Sequence, residues 1–283
     1  MRGRRPRWNR GVDGVWVIAL IILVLVLAWP AHDRCRRGRA VFRHTGPQWR
    51  RAYGRRSFLR LGLALGAAAV LAYSGADEAV EQAHTELVDP REGRLDAERK
   101  RLRAAGRDDE AAALSTEDFP AAAGDRVARV VKPGGEREWF LIWGLTAVGD
   151  WLWKTSPVSR WGRANFEAMC VGLPTLWTVQ RVLGANRPSS DDGSPRWRPF
   201  QHANAASGHA FIGAIPWWTL ALRVQPVWAR GAARAVGLLT GWSRLNDRKH
   251  YASQVLLGWT IAWNAVEATG PETSAVVAAD EEC

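Results

Sequence analysis

Residues 206–222 read ASGHAFIGAIPWWTLAL, a short polar cluster that runs directly into an apolar segment. Ser207 is a favoured residue at the N-cap of a helix, and the apolar residues behind it do not alternate with polar ones as they would in a strand. The stretch therefore predicts a helix over 209–222. The first N–H groups of such a helix, and the positive end of its dipole, favour an anion bound in front of it.

Apolar segments of similar character follow one another through the second half of the chain. Short loops with Gly, Pro or charged residues separate them, and no segment alternates with period two. Residues 138–268 are therefore predicted to form an all-α core. Several segments are short for a membrane span and carry polar residues, so a membrane bundle and a helical domain resting on a membrane both stay open. The segments are 139–153, 166–184, 209–222, 232–242 and 251–266.

The first part of the chain contains two strongly apolar runs, 15–29 and 61–75, which we predict to be membrane helices. Residues 31–60 between them carry ten arginines, and loops rich in Lys and Arg stay on the cytoplasmic side of a membrane. The charged segment 76–137 is accordingly predicted to be extracytoplasmic. An acidic tail, 269–283, follows the core.

The charge of the chain is unevenly distributed. Its net value of +11 by itself suggests a polyanionic partner. Residues 1–60, however, carry 15 arginines and two aspartates, a net of +13, whereas the remaining residues sum to −2. The positive charge lies next to the apolar runs, where it sets membrane orientation. We therefore predict a membrane partner and no nucleic-acid partner.

The core helices are predicted to alternate in direction across a bacterial cytoplasmic (inner) membrane, beginning with the helix 61–75. The protein would then be multi-pass, with the three polar clusters described next on the extracytoplasmic side. The loops 154–165 and 223–231 fall on the cytoplasmic side, where their charges agree with the positive-inside rule. Their basic residues are Lys154, Arg160, Arg163, Arg223 and Arg230.

Three polar clusters at the helix ends have the residue types that bind and transfer phosphate. Arg187 and Arg244 are each able to bind a phosphate through two parallel hydrogen bonds. His209 and His250 supply two imidazoles that titrate near neutral pH. With the helix that begins after Ser207, they fit phosphoryl transfer to a histidine, in which one imidazole attacks phosphorus and the other protonates the leaving oxygen.

These clusters resemble the signature of the type 2 phosphatidic acid phosphatase family, which shares its helical fold with the vanadium haloperoxidases. The family pattern is K-x6-R-P, then P-S-G-H, then S-R-x5-H-x3-D. The resemblance covers residues 139–268 and implies an all-α, membrane-associated helical bundle of the phosphatidic acid phosphatase/haloperoxidase type. In this chain the three parts are Gln180-x6-Arg187-Pro188, Ala206-Ser207-Gly208-His209 and Ser243-Arg244-x5-His250-x3-Gln254, in the same order.

The resemblance implies a phosphoric ester hydrolase in which His250 is the nucleophile and His209 the general acid. A phosphohistidine would form at His250, and the phosphatase branch of the family requires no metal or other cofactor. The three cysteines of the chain are far apart and have no metal-ligand spacing. The phosphate would be bound by Arg187, Arg244, Ser207 and the amide of Gly208.

Two departures from the family pattern bear on the chemistry. Gln180 replaces the lysine, and its neighbour Arg181 is a candidate for the missing phosphate-binding cation, although one helical step turns it by about 100°. Gln254 replaces the aspartate. It shares a helix face with His250 and is able to accept the imidazole N–H, but it carries no charge. Asp247 is a nearby carboxylate and a candidate substitute for the missing aspartate.

The predicted function is hydrolysis of a phosphate monoester or diphosphate of a lipid or amphiphile by a membrane-bound phosphatase. Three alternatives stay open: an anchored acid phosphatase acting on soluble phosphate esters, a catalytically weakened phosphate-binding membrane protein, and a vanadate-dependent haloperoxidase. The predicted partners are a phosphorylated lipid or small phosphate ester and the membrane. The sequence does not determine the oligomeric state or the substrate.

Overall fold

The computed structural model describes residues 46–88, 91–115, 118, 123–152, 156–190 and 193–270. All regular structure within these ranges is helical, which confirms the all-α prediction. The predicted membrane helix 15–29 and nearly all of the acidic tail 269–283 lie outside the described residues.

Ten α-helices and one 3₁₀ turn make up the described structure, and we number the helices in chain order. They are α1 (Arg55–Ser74), α2 (Ala76–Val88), α3 (Arg91–Ala104), α4 (Asp108–Ala113), α5 (Ala123–Val131), the 3₁₀ turn (Lys132–Gly135), α6 (Glu138–Leu152), α7 (Pro157–Leu183), α8 (Gly208–Ala221), α9 (Val227–Asn246) and α10 (Ala252–Ala268).

Helix α7 begins earlier than the sequence predicts. Ser156 caps it by accepting a hydrogen bond from the backbone N–H of Ser159 at 3.0 Å, and Pro157 occupies the first helical turn. The region 154–165 is therefore mostly helix, with Arg160 and Arg163 on α7. Similarly, α9 begins at Val227, so that Arg230 is helical. Capping and polar helical turns are weaker signals than the apolar runs from which the boundaries were predicted.

Helix α8 lies at the centre of the core and packs against α7, α9 and α10. Small residues let the helices approach closely. A Cβ on Gly213 would lie 2.5 Å from the Thr240 side chain, and one on Gly172 would lie 2.5 Å from Phe211. Phe211 is fully buried, so the apolar segment 209–222 forms part of the core of the bundle.

Helices of the core that follow one another in the chain, from α7 to α10, run antiparallel. Trp161 near the start of α7 donates a hydrogen bond to the carbonyl of Pro216 in the second half of α8. Gly237 of α9 lies against Trp218 of α8, whereas Thr240, further along α9, lies against Gly213, nearer the α8 start. The ends of α7 and α9 therefore meet the starts of α8 and α10. We call this end of the bundle the site end, and the other the opposite end.

Helix α1 is the candidate membrane span. The stretch Gly46–Ser74, which includes α1, is the one helix among the described residues that is long and apolar enough to cross a membrane; its mean hydropathy is 1.5 and only 22% of its apolar window is buried. Leu63 and Val70 project from it with 76% and 66% of their surfaces exposed. The additional spans expected for a multi-pass protein stay a prediction.

Candidate active site

His250 lies in the tight turn between α9 and α10, directly beside Arg244. The backbone N–H groups of Lys249 and His250 both donate to the carbonyl of Arg244, at 2.9 and 3.2 Å. Arg248 adopts a left-handed conformation (φ 51°) that reverses the chain. The five residues between Arg244 and His250 therefore form one turn, which brings the histidine back beside the arginine.

Gln254 holds the imidazole of His250 in one orientation. Its Oε1 lies 2.7 Å from Nδ1 of His250 and also accepts the N–H of Tyr251 at 3.3 Å. Its Nε2 donates to the carbonyl of Asn186 at 2.7 Å, which fixes the orientation of the amide. Because Oε1 only accepts, Nδ1 of the neutral ring carries the proton, and Nε2 keeps a lone pair.

The environment of His250 favours the neutral imidazole. Burial is the main cause, and together with the nearby Arg187, Arg244 and His209 it lowers the pKa of His250 to about 3. The hydrogen bond to Gln254 acts in the opposite direction. Arg187, Arg244 and His209 therefore all lie near the ring of His250. The ring is therefore uncharged throughout the physiological pH range.

Arg244 is 7% exposed and has an unused hydrogen-bond donor. Its Nη1 lies 3.3 Å from Oδ2 of Asp247, whereas its Nε is buried with no hydrogen-bond partner in the described part of the chain. A buried donor without an acceptor costs free energy unless a ligand supplies one. Asp247 is also 3.9 Å from Nζ of Lys132. It therefore pairs with cations, and the structure does not place it on His250 as a substitute carboxylate.

The N-terminus of α8 enters the same cluster. The Oγ of Ser207 caps the helix by accepting the N–H of Ala210 at 3.3 Å, and the N–H of Ser207 donates to the carbonyl of Gln254 at 2.8 Å. This backbone bond joins the start of α8 directly to the residue that orients His250. The N–H groups of Gly208 and His209 belong to the first turn, where a helix has no internal acceptors for them.

His209 lies close to Glu136, a residue outside the three motif parts. The Nε2 of His209 lies 3.3 Å from Oε1 of Glu136, which follows the 3₁₀ turn. The turn approaches α8 so closely that a Cβ on Gly135 would lie 2.7 Å from the carbonyl of His209. The run Lys132-Pro133-Gly134-Gly135 signals a turn, but no sequence pattern relates it to His209 some 70 positions later.

Arg187 comes to the site from the loop after α7. Its Nε donates to Oδ1 of Asn204 at 3.0 Å, which fixes the plane of an otherwise exposed guanidinium. Gly184, at the end of α7, has φ 57°, and a Cβ there would lie 2.0 Å from the carbonyl of Arg198. Only glycine fits this contact, which folds the loop back toward the site.

Gln180 and Arg181 have separate positions. The Nε2 of Gln180 donates to the carbonyl of Ala206 at 2.8 Å, so this side chain braces the loop before α8. Arg181 is exposed and one helical step away, so its side chain points away from the loop that Gln180 contacts. The structure thus brings Arg187, Ser207, Gly208, His209, Arg244, His250 and Gln254 together, and it leaves Arg181 outside the cluster.

Comparison with known families agrees with this geometry. Residues 168–268 match the model of the PAP2 superfamily. This PAP2 region contains all three motif parts and confirms the resemblance to the type 2 phosphatidic acid phosphatase superfamily, a phosphatase-type family that acts on phosphate esters. The 3₁₀ turn, Glu136 and α6 precede the PAP2 region. No curated protein and no solved structure matched the chain.

The acidic and sulfur-bearing residues do not form a metal site in the described ranges. No group of three or more His, Cys, Asp and Glu side chains lies close enough together there to bind a metal ion. The groups of the PAP2 region that face one another are instead cations, imidazoles and helix N–H groups, which are suited to binding an anion.

Proposed function

We propose that the protein is a membrane-bound phosphatase that hydrolyses a phosphate monoester or diphosphate of a lipid or amphiphile through a phosphohistidine at His250. The observation that carries this proposal is the convergence of Arg187, His209 and Arg244 on the buried, neutral imidazole of His250. The unused donor of Arg244 has the chemistry of a phosphate ligand. The match of residues 168–268 to the PAP2 superfamily supports the same reaction class.

In the first step, the lone pair on Nε2 of His250 attacks phosphorus. The bond between phosphorus and the leaving oxygen breaks, and His209 in its protonated form gives its proton to that oxygen. Arg187, Arg244 and the first N–H groups of α8 bind the non-bridging oxygens, where negative charge is concentrated. The products are a free alcohol, or a phosphorylated alcohol from a diphosphate, and phosphohistidine.

In the second step, water attacks the phosphorus of phosphohistidine. His209, now neutral, accepts a proton from the water, and the phosphorus–nitrogen bond breaks. Phosphate leaves, the lone pair returns to Nε2 of His250, and His209 is again protonated. Glu136, beside Nε2 of His209, stabilises the protonated form that this ring has before the first step and regains after the second.

Gln254 helps this mechanism in one way and limits its rate in another. It holds the tautomer that leaves Nε2 free to attack, through its bonds to His250 and to the Asn186 carbonyl. It supplies no negative charge to stabilise the cationic ring that forms when phosphorus is attached. We therefore expect turnover, at a rate below that of the same site with a carboxylate at position 254.

The proposed location is the bacterial cytoplasmic membrane, with several spans and the site end facing the extracytoplasmic side. Tryptophans at both ends of two core helices support it, because Trp is enriched where apolar and aqueous phases meet. Helix α7 carries Trp161 and Trp177, about 24 Å apart, and α9 carries Trp228 and Trp242, about 21 Å apart along the helix axis. The exposed apolar face of α1 supports the same location.

The proposal is tested by comparing wild type with His250→Ala and His202→Ala in detergent micelles. His202 is a partly buried loop histidine outside the motifs and serves as the matched control. We expect His250→Ala to lose phosphate release by about 10⁴-fold or more, and His202→Ala to keep it. A radiolabelled phosphoenzyme that is stable in base and labile in acid should form only when His250 is present. Equal phosphate release by wild type and His250→Ala would refute the mechanism.

The choice of substrates separates the alternatives. A higher kcat/KM for phosphatidic acid or a lipid diphosphate in mixed micelles than for p-nitrophenyl phosphate supports an amphiphilic substrate. Equal values favour the anchored acid phosphatase. Phosphate binding without release favours the weakened phosphate-binding protein, and bromide oxidation with added vanadate favours the haloperoxidase.

A further inference from the structure

A cavity of about 630 Å³ lies at the opposite end of the bundle, between the start of α1 and the end of α10. Three arginines on the α1 side, Arg51, Arg55 and Arg56, line it. The wall formed by α10 includes Glu267. It is remote from the phosphatase site, because the 17 residues of α10 separate it from His250 by about 25 Å.

The charges around this cavity favour an anion. Arg55 and Arg56 are exposed, and in the described ranges neither has an acidic partner. Glu267, the acidic residue of the lining, is already ion-paired with Arg60 and accepts a hydrogen bond from Trp263 Nε1 at 2.6 Å. Arg55 and Arg56 therefore keep positive charge and N–H donors suited to phosphate.

An apolar groove adjoins the basic cavity. It has a volume of about 170 Å³ and is formed by side chains of α8, α9 and α10, mainly Trp218, Leu238 and Trp263. The two spaces share Leu222 and Glu267 in their walls. A basic compartment beside an apolar one has the two-part chemistry of an amphiphile with an anionic headgroup.

We infer that these two adjoining spaces together bind one anionic phospholipid, with its phosphate against Arg55 and Arg56 and an acyl chain along Trp218, Leu238 and Trp263. The arginines stand at the N-terminal end of α1, the candidate membrane span, where a cytoplasmic-leaflet headgroup would lie. The lipid there is a bound partner of the bundle and is not the substrate, because no imidazole lines either compartment. This site is additional to the proposed phosphatase reaction.

The test uses the full chain carrying His250→Ala, so that turnover and the phosphatase mechanism do not affect the result. Native mass spectrometry of the detergent-solubilised protein counts bound phosphatidylglycerol and phosphatidylcholine during a titration. We expect one phosphatidylglycerol to bind in preference to phosphatidylcholine. Arg55→Gln with Arg56→Gln should weaken that binding by roughly 30-fold, because the two arginines contribute about equally to the affinity for the headgroup.

Two matched controls distinguish a specific lipid site from effects of net charge and of side-chain size. Arg101→Gln with Arg103→Gln removes the same charge from the exposed face of α3 and should leave the affinity unchanged. Leu238→Trp fills the groove and should weaken binding of long-chain phosphatidylglycerol, whereas Leu145→Trp, at an exposed apolar position on α6, should not.

The inference is overturned if the Arg55/Arg56 double variant binds phosphatidylglycerol as tightly as the parent. It is also overturned if phosphatidylcholine binds equally well, or if inorganic phosphate at equal concentration displaces the lipid. The last result would identify a site for free phosphate. None of these outcomes depends on whether His250 forms a phosphohistidine.

Discussion

The two ends of the helical bundle handle buried charge in opposite ways. At the opposite end, Arg163 lies 2.8 Å from the carboxylate of Asp150 and 3.6 Å from that of Glu167. Gln48 also donates to Glu167, at 2.9 Å. Each of these buried or partly buried carboxylates has a partner from the chain, so this balanced cluster joins α6, α7 and the segment before α1 without needing a ligand.

At the site end, the positive groups exceed their partners. Arg244 shares Asp247 with Lys132 and keeps a buried Nε without an acceptor among the described residues. The neutral ring of His250 is bonded to an uncharged amide, so no carboxylate adds negative charge at that position. Buried charge is therefore paired within the chain at the opposite end, whereas the surplus positive charge at the site end fits the anionic substrate that we propose.

Among substitutions that alter this difference between the two ends, Arg244→Gln is expected to have the largest effect on activity. Removing the buried guanidinium should lower kcat/KM by about 10³-fold, because charge that develops on the phosphoryl oxygens loses a donor. The thermal unfolding temperature should not fall, because the variant also removes an unsatisfied buried group. Kinetics and thermal unfolding of the same preparation test both parts. A large loss of stability with unchanged kcat/KM would show that Arg244 is structural.

The converse substitution, Arg163→Gln, should reduce stability and leave catalysis intact. It leaves the fully buried side chain of Asp150 without its cation, and breaking such a pair costs about 3 kcal/mol or more. Thermal unfolding measures the loss, and kcat of the folded fraction should match wild type. Adding Asp150→Asn should restore part of the stability. If the double variant is no more stable than the single one, the loss did not come from an unpaired Asp150.

Gln254→Glu places a carboxylate beside His250. The site end then resembles the opposite end, where basic side chains are paired with acidic ones. A neighbouring negative charge favours the imidazolium, so the pKa of His250 should rise from about 3 by roughly one unit or more. Protonated His250 cannot attack, and the acid limb of the kcat/KM profile should therefore move to higher pH by the same amount. Gln254→Leu, which adds no charge, should lower the rate without that movement. An unchanged acid limb in Gln254→Glu would show that His250 does not limit activity at low pH.

The smallest effect is expected from Glu136→Gln, at the edge of the site. Glu136 is partly exposed, so its interaction with His209 is screened, and kcat should fall only about fivefold to tenfold. If His209 is the general acid, the loss should be greater for an alkyl phosphate than for p-nitrophenyl phosphate, whose leaving group needs little protonation. Equal losses for both substrates would assign Glu136 a role unrelated to proton donation.

The helices were the most predictable part of the molecule. The segments predicted at 139–153 and 209–222 are found as Glu138–Leu152 and Gly208–Ala221, because continuous apolar runs have few alternatives to a buried helix. The start of α7 was predicted about nine residues too late. Its first turns are polar and are held by the Ser156 cap and by the ion pair of Arg163, and neither appears in a hydropathy pattern.

The candidate site was predictable where its parts are close in the sequence. The spacing from Arg244 to His250, and the one helical turn from His250 to Gln254, are local and agree with the contacts found. Glu136 was not identified, because its contact with His209 depends on how the 3₁₀ turn packs on α8. The sequence alone does not exclude Arg181 from the phosphate-binding residues, because only the structure shows that Gln180 occupies the inward face of α7.

The sequence by itself determined the helical class, the order of the motif parts and the local pairing of Arg244, His250 and Gln254, since apolar runs and spacings within one or two helical turns are short-range properties. Tertiary structure alone decided which groups face the imidazole and which way the Gln254 amide points. The latter depends on the Asn186 carbonyl, 68 positions away, which accepts the amide N–H and leaves Oε1 for His250. A neutral amide has two different ends, and only packing from a distant segment selects the one that prepares a nucleophile.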